Sequence, residues 1–135
     1  MIDQRKKQRI LLVDDELDNC LMFKLALEDN GYQVDAYNNP DLALSAFKPH
    51  YYDLLILDIK MPKMDGYELY EKLQKIDDKV NVCFLTASER YKEEYRPIFL
   101  SSSSATFLAK PITVDEFVKK VNEMIKLNER IDSDI

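Results

Sequence analysis

The chain has 135 residues, of which 46% are hydrophobic and 33% are charged, and its formal net charge at pH 7 is −6. This length and apolar content predict one globular domain with a proper core. The negative charge argues against non-specific binding to nucleic acid or anionic lipid, because the summed field repels phosphate. Binding to either would need a local basic patch, and the only basic cluster, at residues 5–9, is interpreted as a solvated lead-in.

Five apolar runs are predicted to be strands, at residues 10–13, 32–37, 54–57, 80–85 and 105–109. The third run, Leu-Leu-Ile-Leu, is apolar at every position, which is typical of a strand covered on both faces in a parallel sheet. It ends on Asp58 and not on a turn residue. We therefore expect Asp58 where a buried strand reaches the surface.

The first two helices are marked by apolar spacing and by their ends. Leu17, Leu21 and Leu25 recur at fourfold spacing, an apolar row typical of the core-facing side of a helix. The dipeptide Asn30-Gly31 is a helix stop. Asn39-Pro40 predicts the start of a short second helix, with asparagine as the N-cap and proline at the first helical position.

The later helices differ in regularity. The third follows a loop marked by Asp65-Gly66 and has Leu69, Leu73 and Ile76 on one face. Residues 88–104 form the irregular fourth region, because Pro97 would cost a helix interior a hydrogen bond. In the last helix, Thr113 and Glu116 predict a capping box, and an apolar stripe runs to an end at about Leu127: Phe117, Val121, Met124 and Ile125.

Strands that alternate with helices predict an open α/β fold, with a five-stranded parallel sheet, helices on both faces and right-handed crossovers. The strand order 2-1-3-4-5 would make the first and third strands neighbours. We expect a domain over residues 9–128, preceded by a lead-in over residues 1–8 and followed by a polar tail over residues 129–135. We predict a cytoplasmic protein, because no secretory or membrane-spanning stretch is evident.

The cysteines and the single histidine are given structural interpretations. Cys20 and Cys83 fall in a helical pattern and in an apolar strand, with no close cysteine or histidine partner. We interpret them as small buried hydrophobic residues and not as a disulfide or a metal site. His50 follows Lys48-Pro49 in a predicted loop, and we interpret it as a surface residue.

Polar side chains end four of the predicted strands. In open α/β sheets the binding crevice lies outside the carboxyl ends of the strands, where the strand order reverses. Asp14 and Asp15 end the first strand and Asp58 ends the third, so their carboxylates are expected to meet at that crevice. Thr86 and Lys110 end the fourth and fifth strands and would join them.

Clustered carboxylates need a raised pKa or a cation. Two unit charges about 4 Å apart repel by roughly 4 kcal/mol at an effective dielectric near 20. Oxygen ligands beside a lysine favour Mg²⁺, which keeps several waters and is completed by a phosphoryl oxygen. A purely structural cation site is the alternative, and an acidic helix N-terminus alone would explain only the triplet Asp14-Asp15-Glu16.

The fragments "LLVDDE", "LLILDIKMPKMDGYEL", "FLTAS" and "FLAKP" closely resemble the receiver domain of two-component response regulators, in order and spacing, over nearly the whole chain. The resemblance implies a flavodoxin-like doubly wound fold. It also implies that Asp58 accepts a phosphoryl group from a histidine kinase, a phosphotransfer protein or a small phosphodonor. The chain would then be a signalling domain and not an enzyme in the ordinary sense.

The same resemblance assigns roles to individual residues. Asp15 and Asp58 would bind Mg²⁺ directly, together with the backbone carbonyl of Lys60, and Asp14 would hold a metal-bound water. Two further residues would bind phosphoryl oxygens, namely Thr86 and Lys110. Lys60 and Ser88 would tune the lifetime of the phosphoryl group. Pro111 resembles the cis-proline of the family, at a bond type where the cis form is accessible.

A conformational switch is also implied by the family. Thr86 would move towards the phosphoryl group while Phe107 turns inward, although a permanently buried core phenylalanine is the alternative. Two features depart from the family pattern: Pro97 with its serine run, and Ser104 where glycine is usual. We therefore assume no ordinary dimer. The surface aromatic residues Tyr91, Tyr95 and Phe99 could form a partner patch, or could simply be scattered.

Three other functions are compatible with an α/β fold. An aspartyl-nucleophile phosphatase would need a carboxylate where Lys60 stands, and a flavin- or nucleotide-binding domain would need a phosphate-cradling loop where Asp14-Asp15-Glu16 stands. A receiver that binds partners without phosphorylation is the third, and the complete set of five site residues disfavours it. We expect a stand-alone receiver with an unknown downstream protein target and no nucleic acid or membrane partner.

Overall fold

The computed structural model describes residues 7–87 and 105–133, with side chains described up to residue 128. These residues form five strands and four helices, which in chain order are β1 (Arg9–Val13), α1 (Leu17–Asp29), β2 (Gln33–Tyr37), α2 (Pro40–Ala46), β3 (Leu54–Asp58), α3 (Gly66–Ile76), β4 (Val82–Thr86), β5 (Ala105–Ala109) and α4 (Val114–Ser133). The irregular region predicted at 88–104, with its aromatic residues and Ser104, lies outside the described residues.

The five strands form one parallel sheet in the order β2-β1-β3-β4-β5, as predicted. β1 and β3 lie side by side, with Ile10 opposite Leu54 and Val13 opposite Leu57. Because both strands run in the same direction, their carboxyl ends reach the same edge of the sheet. This places the residues that follow Val13 next to the end of β3.

Apolar side chains cover both faces of the sheet, because successive strand residues point to opposite sides. Leu11 and Leu55 belong to a core layer shared with α2 and α3, whereas Ile10 and Ile56 belong to the layer shared with α1 and α4. Every residue of β3 is buried. The prediction of a strand covered on both faces is confirmed, and it gives Asp58 a rigid support.

The predicted core-facing row of α1 is wrong. Leu17, Leu21 and Leu25 are 54%, 49% and 61% exposed, and the buried residues of the helix are Cys20, Phe23 and Leu27. Cys20, Phe23 and Leu27 recur at spacings of three and four residues, which keeps them on one helical face, and this face packs into the core. The leucine row lies on the solvent side of α1.

The last helix is longer than predicted. The apolar stripe of Phe117, Val121 and Ile125 is buried, and the Phe23 and Phe117 rings stack at 4.1 Å between centroids, joining α1 to α4. The expected helix end at about Leu127 is wrong, since α4 continues to Ser133. Residues 128–133 contain no proline or glycine, so nothing in the sequence interrupts the helical hydrogen bonds.

Two predicted helix starts are confirmed by their hydrogen bonds. The side-chain oxygen of Asn39 accepts from the backbone N–H of Asp41 at 2.8 Å, and the hydroxyl of Thr113 accepts from that of Glu116 at 3.2 Å. Each bond satisfies a donor that the first helical turn leaves open. The other structural interpretations also hold, since both cysteines are buried and the side chain of His50 is exposed.

Candidate phosphoryl site at the carboxyl edge of the sheet

Three carboxylates meet at the carboxyl edge of the sheet. Asp14 and Asp15 follow the last residue of β1, and Asp58 is the last residue of β3. One oxygen from each lies within 4.8 Å of the others. Asp14 is 0% exposed and Asp58 is 5% exposed, so water screens their repulsion poorly. The predicted convergence of these residues is confirmed.

Lys110 supplies positive charge to this cluster. Its ammonium group lies 3.0 Å from an oxygen of Asp14 and 3.3 Å from an oxygen of Asp58. The position of Lys110 is set by the sheet, because its backbone N–H donates to the carbonyl of Thr86 at 2.7 Å. One lysine therefore bridges two of the three carboxylates. Asp15 adds a third carboxylate oxygen to the cluster, and the three oxygens together could hold a cation.

Burial raises the pKa of the Asp58 carboxyl from its ordinary value of 3.8 to about 7. The neighbouring Lys110 lowers this pKa, whereas the charge of Asp14 and a hydrogen bond with Asp15 raise it. A carboxylate in this position is more basic than an exposed one. A bound divalent cation would stabilise the charged form of Asp58 and so lower its pKa.

The pKa of Lys110 is raised above its ordinary value. Burial by itself lowers this pKa, but the charges and hydrogen bonds of Asp58 and Asp14 outweigh the cost of desolvation. Lys110 therefore stays protonated over the physiological range. It presents a permanent cation to the carboxyl edge of the sheet.

Gly66 lets the loop after β3 pack closely against the end of that strand, beside the acidic cluster. The N–H of Gly66 donates to the carbonyl of Ile59 at 2.8 Å, and a Cβ at position 66 would collide with the backbone carbonyl of Asp58. Asp65 caps α3 by accepting from the N–H of Glu68 at 2.9 Å. The dipeptide Asp65-Gly66 predicted only a loop, and nothing in its local pattern indicated this close approach to Asp58.

The other predicted site residues fall into two groups. Thr86 is buried at the end of β4, one residue beyond Leu85, which lies opposite Asp58 in the sheet register. Phe107 is half-buried on β5 and packs against the core, with its ring centre 5.6 Å from that of Phe84. Thr86 thus adjoins the carboxylates, while Phe107 lies further back along β5.

The remaining predicted residues border the site. Lys60 is exposed in the loop that follows Asp58, and the peptide bond between Lys110 and Pro111 is cis, as predicted. Ser88 lies outside the described residues. The backbone of Asp14 is held in place as well, since its N–H donates to the carbonyl of Tyr37 at 3.1 Å.

A doubly wound sheet with an acidic cluster and a lysine at its carboxyl edge defines the class of open α/β domains whose binding site lies at a topological switch point. The sequence matches the model of the response regulator receiver domain over residues 10–122. The chain therefore belongs to the receiver domain family of two-component signalling proteins.

Curated relatives place this domain in two kinds of protein. The chain is 32% identical over 119 residues to the transcriptional regulatory protein PcoR of Escherichia coli, covering 88% of this chain and 52% of PcoR. It is 37% identical over 110 residues to the sensor protein EvgS of Escherichia coli K12, covering 82% of this chain and 9% of EvgS. The chain thus spans about half the length of the regulators that it matches and a small part of the sensor.

Solved structures agree with the fold. The non-phosphorylated HemR receiver domain from Leptospira biflexa aligns with a TM-score of 0.79 at 30% identity, covering 88% of this chain and 94% of that one. A CheY-like receiver domain protein from Methanospirillum hungatei aligns with a TM-score of 0.79 at 26% identity, covering 93% and 98%. In the described part of the chain, none of the helices is apolar and long enough to span a bilayer.

Proposed function

We propose that Asp58 accepts a phosphoryl group from a phosphohistidine donor or from a small phosphodonor such as acetyl phosphate, and that this changes which partners the domain binds. The observation that carries the proposal is the contact of Lys110 with both Asp14 and Asp58 beside a third carboxylate, Asp15. Phosphoryl transfer depends largely on positioning and on charge stabilisation. This arrangement supplies both.

The donor set fits Mg²⁺. Asp14, Asp15 and Asp58 offer only oxygen atoms within a few ångströms of one another, which is the ligand type that this hard cation takes. Asp15 and Asp58 would bind the ion together with the backbone carbonyl of Lys60, and Asp14 would hold one of its waters. When bound, the ion would neutralise negative charge on the carboxylates and on the incoming phosphoryl oxygens.

The residues of the chain divide the transfer step between them. An oxygen of the Asp58 carboxylate attacks phosphorus, the new O–P bond forms as the P–N bond of the donor breaks, and the imidazole leaves with the bonding electron pair. Lys110 pairs with a phosphoryl oxygen once Asp58 has become an acyl phosphate. The hydroxyl of Thr86 donates to a second phosphoryl oxygen, and the ring of Phe107 then turns towards the core.

The exposed leucine row of α1 would guide a protein donor to Asp58. The row begins at Leu17, two residues after Asp15, and runs away from the site along α1. Its flanks carry exposed acidic residues, Asp18 and Asp29 among them. We propose that a helix of the histidine-bearing donor, with an apolar stripe and basic flanks, packs on this row.

Intact mass measurement tests the proposed phosphorylation. The protein is incubated with acetyl phosphate and Mg²⁺, beside Asp58→Asn, a metal-free sample and the matched surface variant Asp78→Asn. We expect the mass of one phosphoryl group in the parent and in Asp78→Asn, and no gain in the other two samples. A gain that persists in Asp58→Asn would refute Asp58 as the acceptor. No gain in the parent, despite demonstrated Mg²⁺ binding, would favour a module that works without phosphorylation by small donors.

The proposed unit of function is residues 9–128, which contain the whole described sheet and the core-facing part of α4. The continuation of α4 to Ser133 replaces part of the tail expected over residues 129–135. Truncation after residue 128 should leave phosphorylation by acetyl phosphate intact, because the phosphoryl site lies entirely within this unit. Loss of phosphorylation in a truncated chain that remains folded would contradict this boundary.

A further inference from the structure

Four aromatic rings pack together in the core layer that the sheet shares with α2 and α3. The ring of Phe84, on β4, is fully buried and touches the other three. Its centre lies 4.8 Å from that of Tyr67 and 5.5 Å from that of Tyr70, which are both buried residues of α3. It lies 5.6 Å from the centre of Phe107 on β5. Phe84 therefore contacts the predicted switch residue and α3 at the same time.

The geometry of the strands relates this cluster to the phosphoryl site. Phe84 lies directly opposite Phe107 in the register of β4 and β5. Thr86 follows Phe84 by two residues, and side chains two apart on a strand point to the same face of the sheet. Phe84 is thus a neighbour of both residues that move in the proposed phosphorylated state.

The start of α3 is also bonded to the end of β3. Tyr67 follows Gly66, whose N–H donates to the carbonyl of Ile59 at 2.8 Å. Ile59 is the residue after Asp58, so α3 is held to the acceptor strand by its backbone and to Phe84 by its aromatic rings. The position of α3 therefore depends both on the end of β3 and on the aromatic cluster.

Buried rings in contact do not move independently, because protein interiors are close-packed and a displaced ring either clashes with its neighbours or loses contact with them. Tyr70 meets Phe84 edge to face, with an angle of 89° between the ring planes, whereas the Phe107 ring is tilted by 33° against Phe84. An inward turn of Phe107 therefore requires Phe84 to shift. A shift of Phe84 in turn changes its contacts with α3.

We infer that Phe84 is a positioning residue that couples Phe107 to α3, so that phosphorylation of Asp58 changes the packing of this helix. The inference rests on the proposed function, in which the phosphoryl group draws Thr86 towards it and Phe107 turns inward. A core phenylalanine without this role would stabilise the resting and the phosphorylated states equally. A positioning residue contributes differently to the two states, and only such a difference can shift the equilibrium between them.

NMR with Mg²⁺ and beryllofluoride, a phosphoryl mimic that binds to an aspartate carboxylate, tests the inference. The amides of Asp58 and Lys110 report on the phosphoryl site, and the ring signals of Tyr70 report on the packing of α3. In the parent protein we expect both sets of signals to shift when the mimic binds. In Phe84→Leu the shifts at the phosphoryl site should remain, whereas the shift of the Tyr70 ring should fall at least roughly twofold.

Two further variants separate coupling from general damage to the core. Phe117→Leu is the matched control, since Phe117 is equally buried but belongs to the core layer on the other face of the sheet. Its Tyr70 shift should match that of the parent. Phe107→Leu removes a ring from the other end of the cluster and should reduce the Tyr70 shift as Phe84→Leu does, with the shifts at the phosphoryl site retained.

The possible outcomes separate this inference from the proposed function. A parent protein that shifts at the phosphoryl site but not at the Tyr70 ring would overturn the inference alone. So would an undiminished Tyr70 shift in Phe84→Leu, or in Phe107→Leu if Phe84→Leu does not fold, and so would an equal reduction in Phe117→Leu. A parent protein without shifts at Asp58 and Lys110 would overturn the proposed function and, with it, the inference.

Discussion

The ammonium group of Lys110 lies 3.3 Å from a carboxylate oxygen of Asp58, although 52 residues separate the two along the chain. The contact joins the residue after β5 to the last residue of β3, across the end of β4. A carboxylate this deeply buried is stabilised in its charged form by that ammonium group. The same ammonium group is in place to meet a phosphoryl oxygen, so one residue serves the resting site and the proposed phosphorylated state.

The raised pKa of Asp58 predicts that the metal-free protein loses stability as the pH rises. Asp58 has a pKa of about 7 in the folded protein, against an ordinary value of 3.8. Between these values the folded protein holds a proton that the unfolded chain has released, so the free energy of unfolding decreases with increasing pH. We expect a decrease on the order of 2 kcal/mol from this residue between about pH 4 and pH 7.

Urea unfolding in EDTA at several pH values measures this effect. Asp58→Asn should remove most of the decrease, because asparagine has no proton to release, whereas the exposed Asp78→Asn should keep the decrease of the parent. Identical pH profiles for the parent and Asp58→Asn would show that Asp58 does not carry the raised pKa. Addition of Mg²⁺ should restore stability above about pH 7, where the carboxylate is charged.

The close approach of Gly66 to Asp58 predicts a large effect of a single methyl group. In Gly66→Ala the added Cβ would collide with backbone atoms of β3, which can give way only if the strand end or α3 moves. We expect a loss of about 1–3 kcal/mol in the free energy of unfolding and slower phosphorylation by acetyl phosphate.

Gly31→Ala is the matched control for this loss. Gly31 has φ +93° and open space around it, so alanine there costs only backbone strain, roughly 1 kcal/mol. Its phosphorylation rate should match that of the parent, since residue 31 lies in the turn after α1. If Gly66→Ala were phosphorylated as fast as Gly31→Ala, the packing of Gly66 would be irrelevant to the geometry of Asp58.

Lys60 is expected to lengthen the lifetime of the phosphoryl group. Its exposed side chain follows Asp58 by two residues, so its ammonium group can pair with phosphoryl oxygens and hinder the attack of water. In Lys60→Ala we expect the phosphoryl group to be lost several-fold faster, measured by intact mass after the donor is removed. Lys72→Ala, a substitution on the exposed side of α3, should keep the parent rate. An unchanged lifetime in Lys60→Ala would refute the role.

The leucine row on α1 is expected to matter for protein donors only. Leu21→Glu should slow phosphoryl transfer from a phosphorylated histidine-containing phosphotransfer protein roughly tenfold, because a charge would enter an apolar contact. Phosphorylation by acetyl phosphate should be unaffected, and Leu127→Glu, at another exposed leucine, should match the parent in both assays. Equal slowing with the protein donor and with acetyl phosphate would point to damage at the phosphoryl site and not to lost docking.

Several features were predictable because they depend on local patterns. A short run that is apolar at every position, such as residues 54–57, is typical of a buried strand. Asn39 and Thr113 cap helices by accepting hydrogen bonds from backbone N–H groups two or three residues further along the chain. The inward side of α1 was not predictable from its leucines. Both of its sides are apolar, and only packing of Phe23 against Phe117 determines which one is buried.

The sequence by itself determined the alternation of strands and helices and the polar residue at the end of each site-forming strand. It also determined the likeness to receiver domains, since these features lie in short contiguous stretches. Only the tertiary structure decided that Lys110 contacts Asp14 as well as Asp58, and that Gly66 must lie against the end of β3. It also brought Arg9 and Lys48 to one tyrosine ring. Such contacts join residues far apart in the chain, and their distances depend on how whole elements pack.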